Sequence, residues 1–137
     1  MSERPMPAVK ALIERNGKIL VLKTETENDV YWVLPGGKIE YGEDPLEALE
    51  REIREEISVE AEISDPVGMY HFFIGEENKG DQVVLTVFEA DIGDQEIDIS
   101  SNPADENITE YRWLRPEKFV NKTSNDSLAD LIQKYQK

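Results

Sequence analysis

The segment from Asp44 to Ile57 constrains this chain more than any other part of it. Asp44 is a favourable helix N-cap, Pro45 suits the first helical position, and Glu47 stands three residues after the cap. The apolar residues that follow recur at helical spacing, so we predict a helix over Pro45–Ile57. Such a helix must bury its apolar stripe against a second layer of structure.

Three glutamates lie along one edge of this predicted helix. At about 100° per residue, Glu55 and Glu56 fall within about 60° of Glu52, directly beside the apolar stripe. Clustered carboxylates repel one another, and a hard divalent cation such as Mg²⁺ relieves that repulsion. Arg51 is placed to hold one carboxylate or to neutralise part of the cluster. On spacing alone, a solvated glutamate-rich helix is the commoner explanation of this pattern, and a metal site is the alternative.

Strands dominate the rest of the chain. Asn16-Gly17 indicates a hairpin, and Pro35-Gly36-Gly37 ends a strand and lets the backbone approach a ligand closely. A C-terminal helix is predicted over Ser127–Tyr135. The predicted strands are Val9–Ile13, Ile19–Leu22, Val30–Leu34, Val59–Ile63, Gly68–Ile74, Gln82–Ala90 and Glu110–Leu114. This is an α+β pattern, with helices packed on a mixed sheet.

The composition narrows the classes of function. The chain has 137 residues, which suits one domain over 1–137, and its formal net charge is −15. A chain this acidic repels nucleic acids and anionic membranes, so we expect neither as a partner. Cysteine is absent, which excludes disulfides and thiolate chemistry. With no signal peptide and no apolar run of about 20 residues, we expect a cytoplasmic protein. The sequence does not indicate an oligomeric state.

The segment from Gly37 to Val59 resembles the Nudix box. Gly37 is followed after five residues by Glu43, and then after seven by Arg51-Glu52-Ile53, one further residue and Glu55-Glu56. The one departure is Ser58, where the family has glycine. The preceding Trp32-Val33-Leu34-Pro35-Gly36-Gly37 is also similar to the family's entry strand and loop.

This resemblance implies a Nudix fold, with a mixed sheet sandwiched between helices. It implies a metal-dependent pyrophosphohydrolase that cleaves the diphosphate linkage of a nucleoside diphosphate joined to another moiety, with Mg²⁺ or Mn²⁺ as cofactor. By resemblance the metal ligands are the carbonyl of Gly36 and the carboxylates of Glu52, Glu55 and Glu56. By the same resemblance, Glu43 and Arg51 orient the box.

The family often adds an acid from a loop before the late strand. Glu106 is the first candidate for this ligand or general base, Glu110 the second, and Asp105 remains a third. Glu110 is three residues before Trp113 in a predicted strand, so the two side chains should point to opposite faces. The catalytic candidates are therefore Glu106, Glu52 and Glu55, with Arg51 supporting them.

The substrate side of the site is less defined. We expect a small nucleotide-like substrate, with Gly37 and Lys38 close to its phosphates. Aromatic residues near the predicted strand ends offer stacking surfaces for a base, although aromatic residues in strands are more often core. They are Tyr31, Trp32, Tyr70, Phe72 and Phe73, and the lone His71 lies among them.

Other kinds of protein share parts of this pattern. The alternative function is a non-catalytic nucleotide-binding sensor of the same family, although such a sensor usually lacks some of the box acids. An isoprenoid diphosphate isomerase needs a cysteine, which this chain lacks. A plain acidic interaction protein would show no metal dependence.

Overall fold

The computed structural model describes residues 4–74, 81–103 and 106–135. Seven strands and three helices lie within these ranges. The strands are β1 Met6–Arg15, β2 Lys18–Glu25, β3 Val30–Val33, β4 Gly36–Lys38, β5 Glu62–Phe73, β6 Gln82–Asp91 and β7 Ile108–Leu114. The helices are α1 Pro45–Ile57, α2 Pro116–Lys122 and α3 Asp126–Tyr135. In the part of the chain described, no helix is long and apolar enough to cross a membrane.

The strands form a mixed sheet in the order β3-β2-β1-β6-β5, with β4 paired to β1 and β7 paired to β2. Strands β1 and β6 are parallel, and the other pairs are antiparallel. One edge of β1 is divided between two partners. Its last residues, Glu14 and Arg15, pair with β2, whereas Ala8 to Lys10 pair with β4. This division holds the glycine-rich β4 against the middle of β1.

Apolar residues alternate along β1 and fill two cores, one on each face of the sheet. Ala8 and Leu12 pack with residues of α2 and α3, whereas Val9, Ala11 and Ile13 pack with residues of α1. A strand whose successive side chains point to opposite faces produces this division. Helices therefore cover both faces of a mixed sheet, which confirms the predicted α+β Nudix fold.

Three local features differ from the predicted elements. The strands expected over Val59–Ile63 and Gly68–Ile74 are one strand, β5, whose pairing with β6 is irregular around Pro66. Proline has no N–H to donate, so the ladder shifts there without ending the strand. The preceding strand does end at this turn, since β3 stops at Val33, but Gly36–Lys38 then forms a separate short strand, β4, which is absent from the predicted elements. Helix α2 is absent from the predicted elements, although it begins with a proline at its first position, a recognisable start signal.

Candidate functional site

Helix α1 begins and ends where its sequence indicates. The Asp44 carboxylate accepts a hydrogen bond of 3.2 Å from the backbone N–H of Glu47, and Pro45 follows the cap. The helix ends at Ser58, whose backbone is left-handed with φ 61° and ψ 37°. Glycine is the residue best suited to that conformation, so serine carries a small cost here. Because both ends of α1 are defined in this way, the positions of its glutamates relative to the sheet are defined as well.

Two glutamates of α1 are buried one turn apart. Glu52 is 7% exposed and Glu56 is 3% exposed, and they are the buried charged side chains of the described core. Both carboxylates lie at the boundary between the helix and β4. Burial raises the pKa of each, because a carboxylate loses its hydration there.

Glu56 is tied directly to the glycine turn. Its Oε1 accepts a hydrogen bond of 2.8 Å from the backbone N–H of Gly36. Burial is the main cause that raises its pKa to about 8, while the Lys10 ammonium acts in the opposite direction. That ammonium donates to the carbonyl oxygens of Leu34 at 3.0 Å and Gly36 at 3.1 Å. Lys10 thus places a positive charge at the glycine turn, where it acts on the Glu56 carboxylate.

Glu52 has an oxygen with nothing to bind. Its Oε1 accepts from Arg51 Nη1 at 3.3 Å, whereas its buried Oε2 has no hydrogen-bond partner among the described residues. Gly37 lies directly against this carboxylate. A Cβ at Gly37 would stand 2.7 Å from the Glu52 Cδ and 2.8 Å from each oxygen. Any residue other than glycine at position 37 would displace the Glu52 carboxylate from its present position.

Glu106 joins these two glutamates from a distant part of the chain. One carboxylate oxygen each from Glu52, Glu56 and Glu106 lies within 4.8 Å of the other two. Glu106 precedes β7 and is half-buried. The charge of Glu106 adds to burial in raising the pKa of both α1 carboxylates. We call these three residues the glutamate cluster.

The other predicted loop acids are placed differently. Glu110 pairs with Lys23 across β2 and β7, at 3.8 Å between Nζ and Oε1, and accepts from Arg112 Nε at 2.5 Å. Trp113 packs against the core on the α1 side, so Glu110 points to the opposite face. Asp105 lies outside the described residues.

Arg51 connects the glutamate cluster to the loop before α1. Its Nε and Nη2 donate to the two oxygens of Glu43 at 2.6 and 3.0 Å, and its Nη1 lies 3.2 Å from Glu55 Oε1. The paired contact lowers the pKa of Glu43. The Glu55 side chain is 44% exposed and lies outside the glutamate cluster. Lys38 is exposed, and its carbonyl accepts from Arg51 at 3.5 Å.

The glutamate cluster fits a divalent cation. Its donors are carboxylate oxygens, the ligands that Mg²⁺ and Mn²⁺ prefer. The unpartnered Oε2 of Glu52 is a buried acceptor that a cation would satisfy, and buried oxygens of this kind are costly when they are unpaired. A bound cation would also offset the repulsion among these carboxylates, which adds to burial in raising the pKa of Glu52 and Glu56.

A large open cleft lies between β3, the end of β5 and the α2–α3 connection. Its volume is about 1010 Å³, at the upper end of the range for small-molecule sites. Aromatic side chains line one part of it, and polar residues of the α2–α3 connection line another. The glutamate cluster does not line this cleft. Val33, which does line it, leads along the chain into Leu34 and β4, beside the glutamate cluster.

Sequence reasoning missed two residues of this region. Lys10 falls within a predicted apolar strand, and a lysine inside such a run is itself a signal. Asn102 falls within an irregular polar stretch, and its amide hydrogen-bonds the backbone near Glu106. The dipeptide Asn102-Pro103 is a local turn signal, but the partners of the asparagine amide at Ile99 and Ile108 follow from how the loop closes.

Known proteins resemble this chain in sequence and in fold. The NUDIX domain family matches residues 4–135. The CTP pyrophosphohydrolase of Escherichia coli is 41% identical over 64 residues, which are 45% of this chain and 47% of that protein. The nucleoside triphosphatase NudI of Escherichia coli is 31% identical over 128 residues, which are 85% of this chain and 86% of that protein. The crystal structure of the MutT protein from Methanosarcina mazei Go1 has a TM-score of 0.79 and 26% identity, and the match covers 98% of this chain and 96% of that one.

The fold, the glutamate cluster and these matches define the class of protein. The chain belongs to the NUDIX domain family, as its sequence predicts. It is a Nudix-type pyrophosphohydrolase, which confirms the predicted class of enzyme. The first of the two enzymes is matched over about half its length and the second over most of it.

Proposed function

We propose that this enzyme hydrolyses nucleoside triphosphates to the monophosphate and inorganic pyrophosphate, with Mg²⁺ as cofactor and Mn²⁺ as a substitute. The observation that carries the proposal is the glutamate cluster, with the unpartnered Oε2 of Glu52 inside it. The substrate class is supported by the two enzymes matched in sequence, a CTP pyrophosphohydrolase and a nucleoside triphosphatase. We place the reaction in the cytoplasm, where triphosphates are abundant.

Three residues of the Nudix box and one residue just before it would hold the cation. They are Glu52, Glu55 and Glu56, with the carbonyl of Gly36. Glu55 is exposed beside the glutamate cluster, and a short movement away from Arg51 would let it join. The Gly36 carbonyl already accepts from Lys10, and a carbonyl oxygen has a second lone pair with which it would bind a cation. A divalent cation bound there would add positive charge beside the phosphate oxygens and make a nearby water more acidic.

The reaction needs a base to accept a proton from the water, and it needs the carboxylates to be held in fixed positions. The water oxygen bonds to phosphorus as the bond to the departing pyrophosphate breaks, and the water loses a proton. Glu106 is our first candidate to take that proton, because it reaches the site from a different element than the α1 glutamates. Glu52 is the second candidate. Arg51 is a positioning residue, since it holds Glu43 and Glu55 and donates to Glu52 Oε1.

The nucleoside would occupy the cleft, and its phosphates would follow β4 to the glutamate cluster. Tyr31, Phe72 and Phe73 are 46%, 38% and 37% exposed, which leaves ring surface for a base to stack on. Gly37 lets the triphosphate approach the backbone, and the exposed Lys38 adds a positive charge beside it. In a chain with a net charge of −15, that lysine is a useful local attraction for an anion.

A product assay tests the proposal. Purified chain is incubated with nucleoside triphosphates, nucleotide sugars and dinucleoside polyphosphates in Mg²⁺, and the products are separated by chromatography. We expect monophosphate and pyrophosphate from at least one triphosphate, an alkaline optimum, and loss of turnover in excess chelator. Glu52→Gln is the matched inactive control, because it keeps the side chain's shape and removes its charge.

Other outcomes have definite meanings. Formation of a nucleoside diphosphate and orthophosphate would place the cut at the wrong bond and refute the proposal. Triphosphate binding without turnover would instead establish the non-catalytic sensor. Turnover that survives the chelator would show that the glutamate cluster is not the site of the reaction.

A further inference from the structure

The side chain of Asn102 closes the loop that leads into β7. Its Nδ2 donates to the carbonyl of Ile99 at 2.5 Å and to the carbonyl of Ile108 at 3.2 Å. Its Oδ1 accepts from the backbone N–H of Ile108 at 3.3 Å. The amide therefore pairs with both backbone groups of Ile108, much as a neighbouring strand would. Ile108 is itself buried in the core under α1, which anchors the closure.

Glu106 lies inside the segment that this closure defines. Its backbone N–H donates to the carbonyl of Pro103 at 2.9 Å. The next residue, Asn107, has a left-handed φ of 52°, and its carbonyl accepts from Glu25 of β2 at 3.1 Å. Glu106 thus lies between two anchored points of the backbone, the Asn102–Ile108 contacts and the contact of Asn107 with β2. The side chain of Glu106 extends from here into the glutamate cluster.

We propose that Asn102 is a positioning residue for Glu106, holding its carboxylate within reach of Glu52 and Glu56. The inference rests on the proposed function, in which Glu106 serves the site. An asparagine suits this task because it offers donors and an acceptor on one short side chain. Aspartate would face the carbonyls of Ile99 and Ile108 without a proton to donate. Alanine would remove the side-chain partners of both backbone groups of Ile108, while the Ile99 carbonyl would keep the backbone N–H of residue 102.

Two measurements test the inference, and both use a double-mutant cycle between Asn102→Ala and Glu106→Gln. If Asn102 acts through Glu106, we expect Asn102→Ala to lower kcat about 10-fold in the wild-type background with KM unchanged. In the Glu106→Gln background the same substitution should change kcat less than about 2-fold, because the carboxylate it positions is gone. Mn²⁺ affinity without substrate, measured by electron paramagnetic resonance, should show the same non-additivity.

Gln95 provides the matched control. Its amide also bridges backbone groups, donating to the carbonyls of Glu60 at 2.7 Å and Ile92 at 2.8 Å and accepting from the N–H of Glu60 at 3.0 Å. It serves a neighbouring loop without contact to the glutamate cluster. Gln95→Ala should lower the thermal midpoint about as much as Asn102→Ala and leave kcat and Mn²⁺ affinity unchanged.

The possible failures are distinguishable. Equal effects of Asn102→Ala in both backgrounds, or an equal loss of kcat in Gln95→Ala, would reduce Asn102 to a general structural role and overturn the inference. Full turnover by Glu106→Gln would also overturn it, while leaving the proposed hydrolysis intact. If the wild-type chain hydrolyses no triphosphate, the proposed function fails, and the Mn²⁺ cycle still decides whether Asn102 positions Glu106.

Discussion

Gly37→Ala is the substitution that tests the glutamate cluster most cleanly, because it adds one methyl group and changes no charge. The backbone of Gly37 is not in the left-handed region, so alanine is tolerated conformationally. The new Cβ would stand 2.7 Å from the Glu52 Cδ, whereas carbon atoms in contact stay about 3.5 Å apart. The Glu52 carboxylate must therefore move by about 0.8 Å, since backbone atoms cannot give way as easily.

That displacement is large for a metal ligand. Coordination distances are reproduced to within about 0.2 Å in working sites, so the Glu52 carboxylate would leave its position in the cluster. A misplacement of about 1 Å near the chemistry costs on the order of 100-fold in rate. We expect Gly37→Ala to lower kcat/KM by about 100-fold, or about 2.7 kcal/mol of activation free energy. Mn²⁺ affinity should fall as well, since a ligand is displaced.

The assay combines triphosphate turnover, a Mn²⁺ titration and thermal unfolding in chelator. Gly68→Ala is the control, because its Cβ would meet only the Leu131 side chain, at 3.2 Å, in the other core. It should leave turnover unchanged. Gly36→Ala marks the opposite extreme, since its Cβ would lie 2.2 Å from the Val9 carbonyl at a φ of +131°. We expect that variant to lose stability along with activity.

One result would refute the reasoning. If Gly37→Ala keeps turnover and Mn²⁺ affinity within about 2-fold of wild type, then either Glu52 tolerates displacement or it is not a ligand. A crystal structure of the variant would separate the two by the position of its carboxylate.

Further predictions concern single features of the site and of α1. Glu106→Gln should lower kcat by about 10- to 10⁴-fold with little change in KM, and Glu110→Gln should lower kcat less. Steady-state kinetics on both variants measures this. A larger loss of kcat in Glu110→Gln would exchange the roles assigned to the two residues. In chelator, the thermal midpoint should fall as pH rises from about 5 to 8, because the folded chain keeps a proton on Glu56, whose pKa is about 8, while the unfolded chain releases it near 4.5. Glu56→Gln should flatten that dependence, and an equally steep slope in the variant would assign it to other groups. Ser58→Gly should stabilise the chain by up to about 1 kcal/mol in denaturant unfolding, because it removes the left-handed strain; unchanged stability would show that serine is unstrained there.

The sequence alone determined the features that depend on near neighbours. Helix capping and the 3.6-residue period are local, so they specify the bounds of α1 and the shared edge of its glutamates. The period of two along a strand likewise assigns Glu110 and Trp113 to opposite faces of β7, because the two residues are an odd number of positions apart. Family resemblance extends these local inferences to the fold and the enzyme class.

Only the tertiary structure decided which distant groups meet the glutamates. Lys10 reaches the Gly36 carbonyl across 26 residues, and the Gly36 N–H reaches Glu56 across 20. The first contact depends on the register in which β4 pairs with β1, and the second depends on how α1 packs against β4. No local pattern specifies either. Glu106 depends in turn on how Asn102 closes its loop. Residue types and periods fix which side chains share a surface, but distances between elements follow from strand register and loop closure, and these are settled only when the whole core packs.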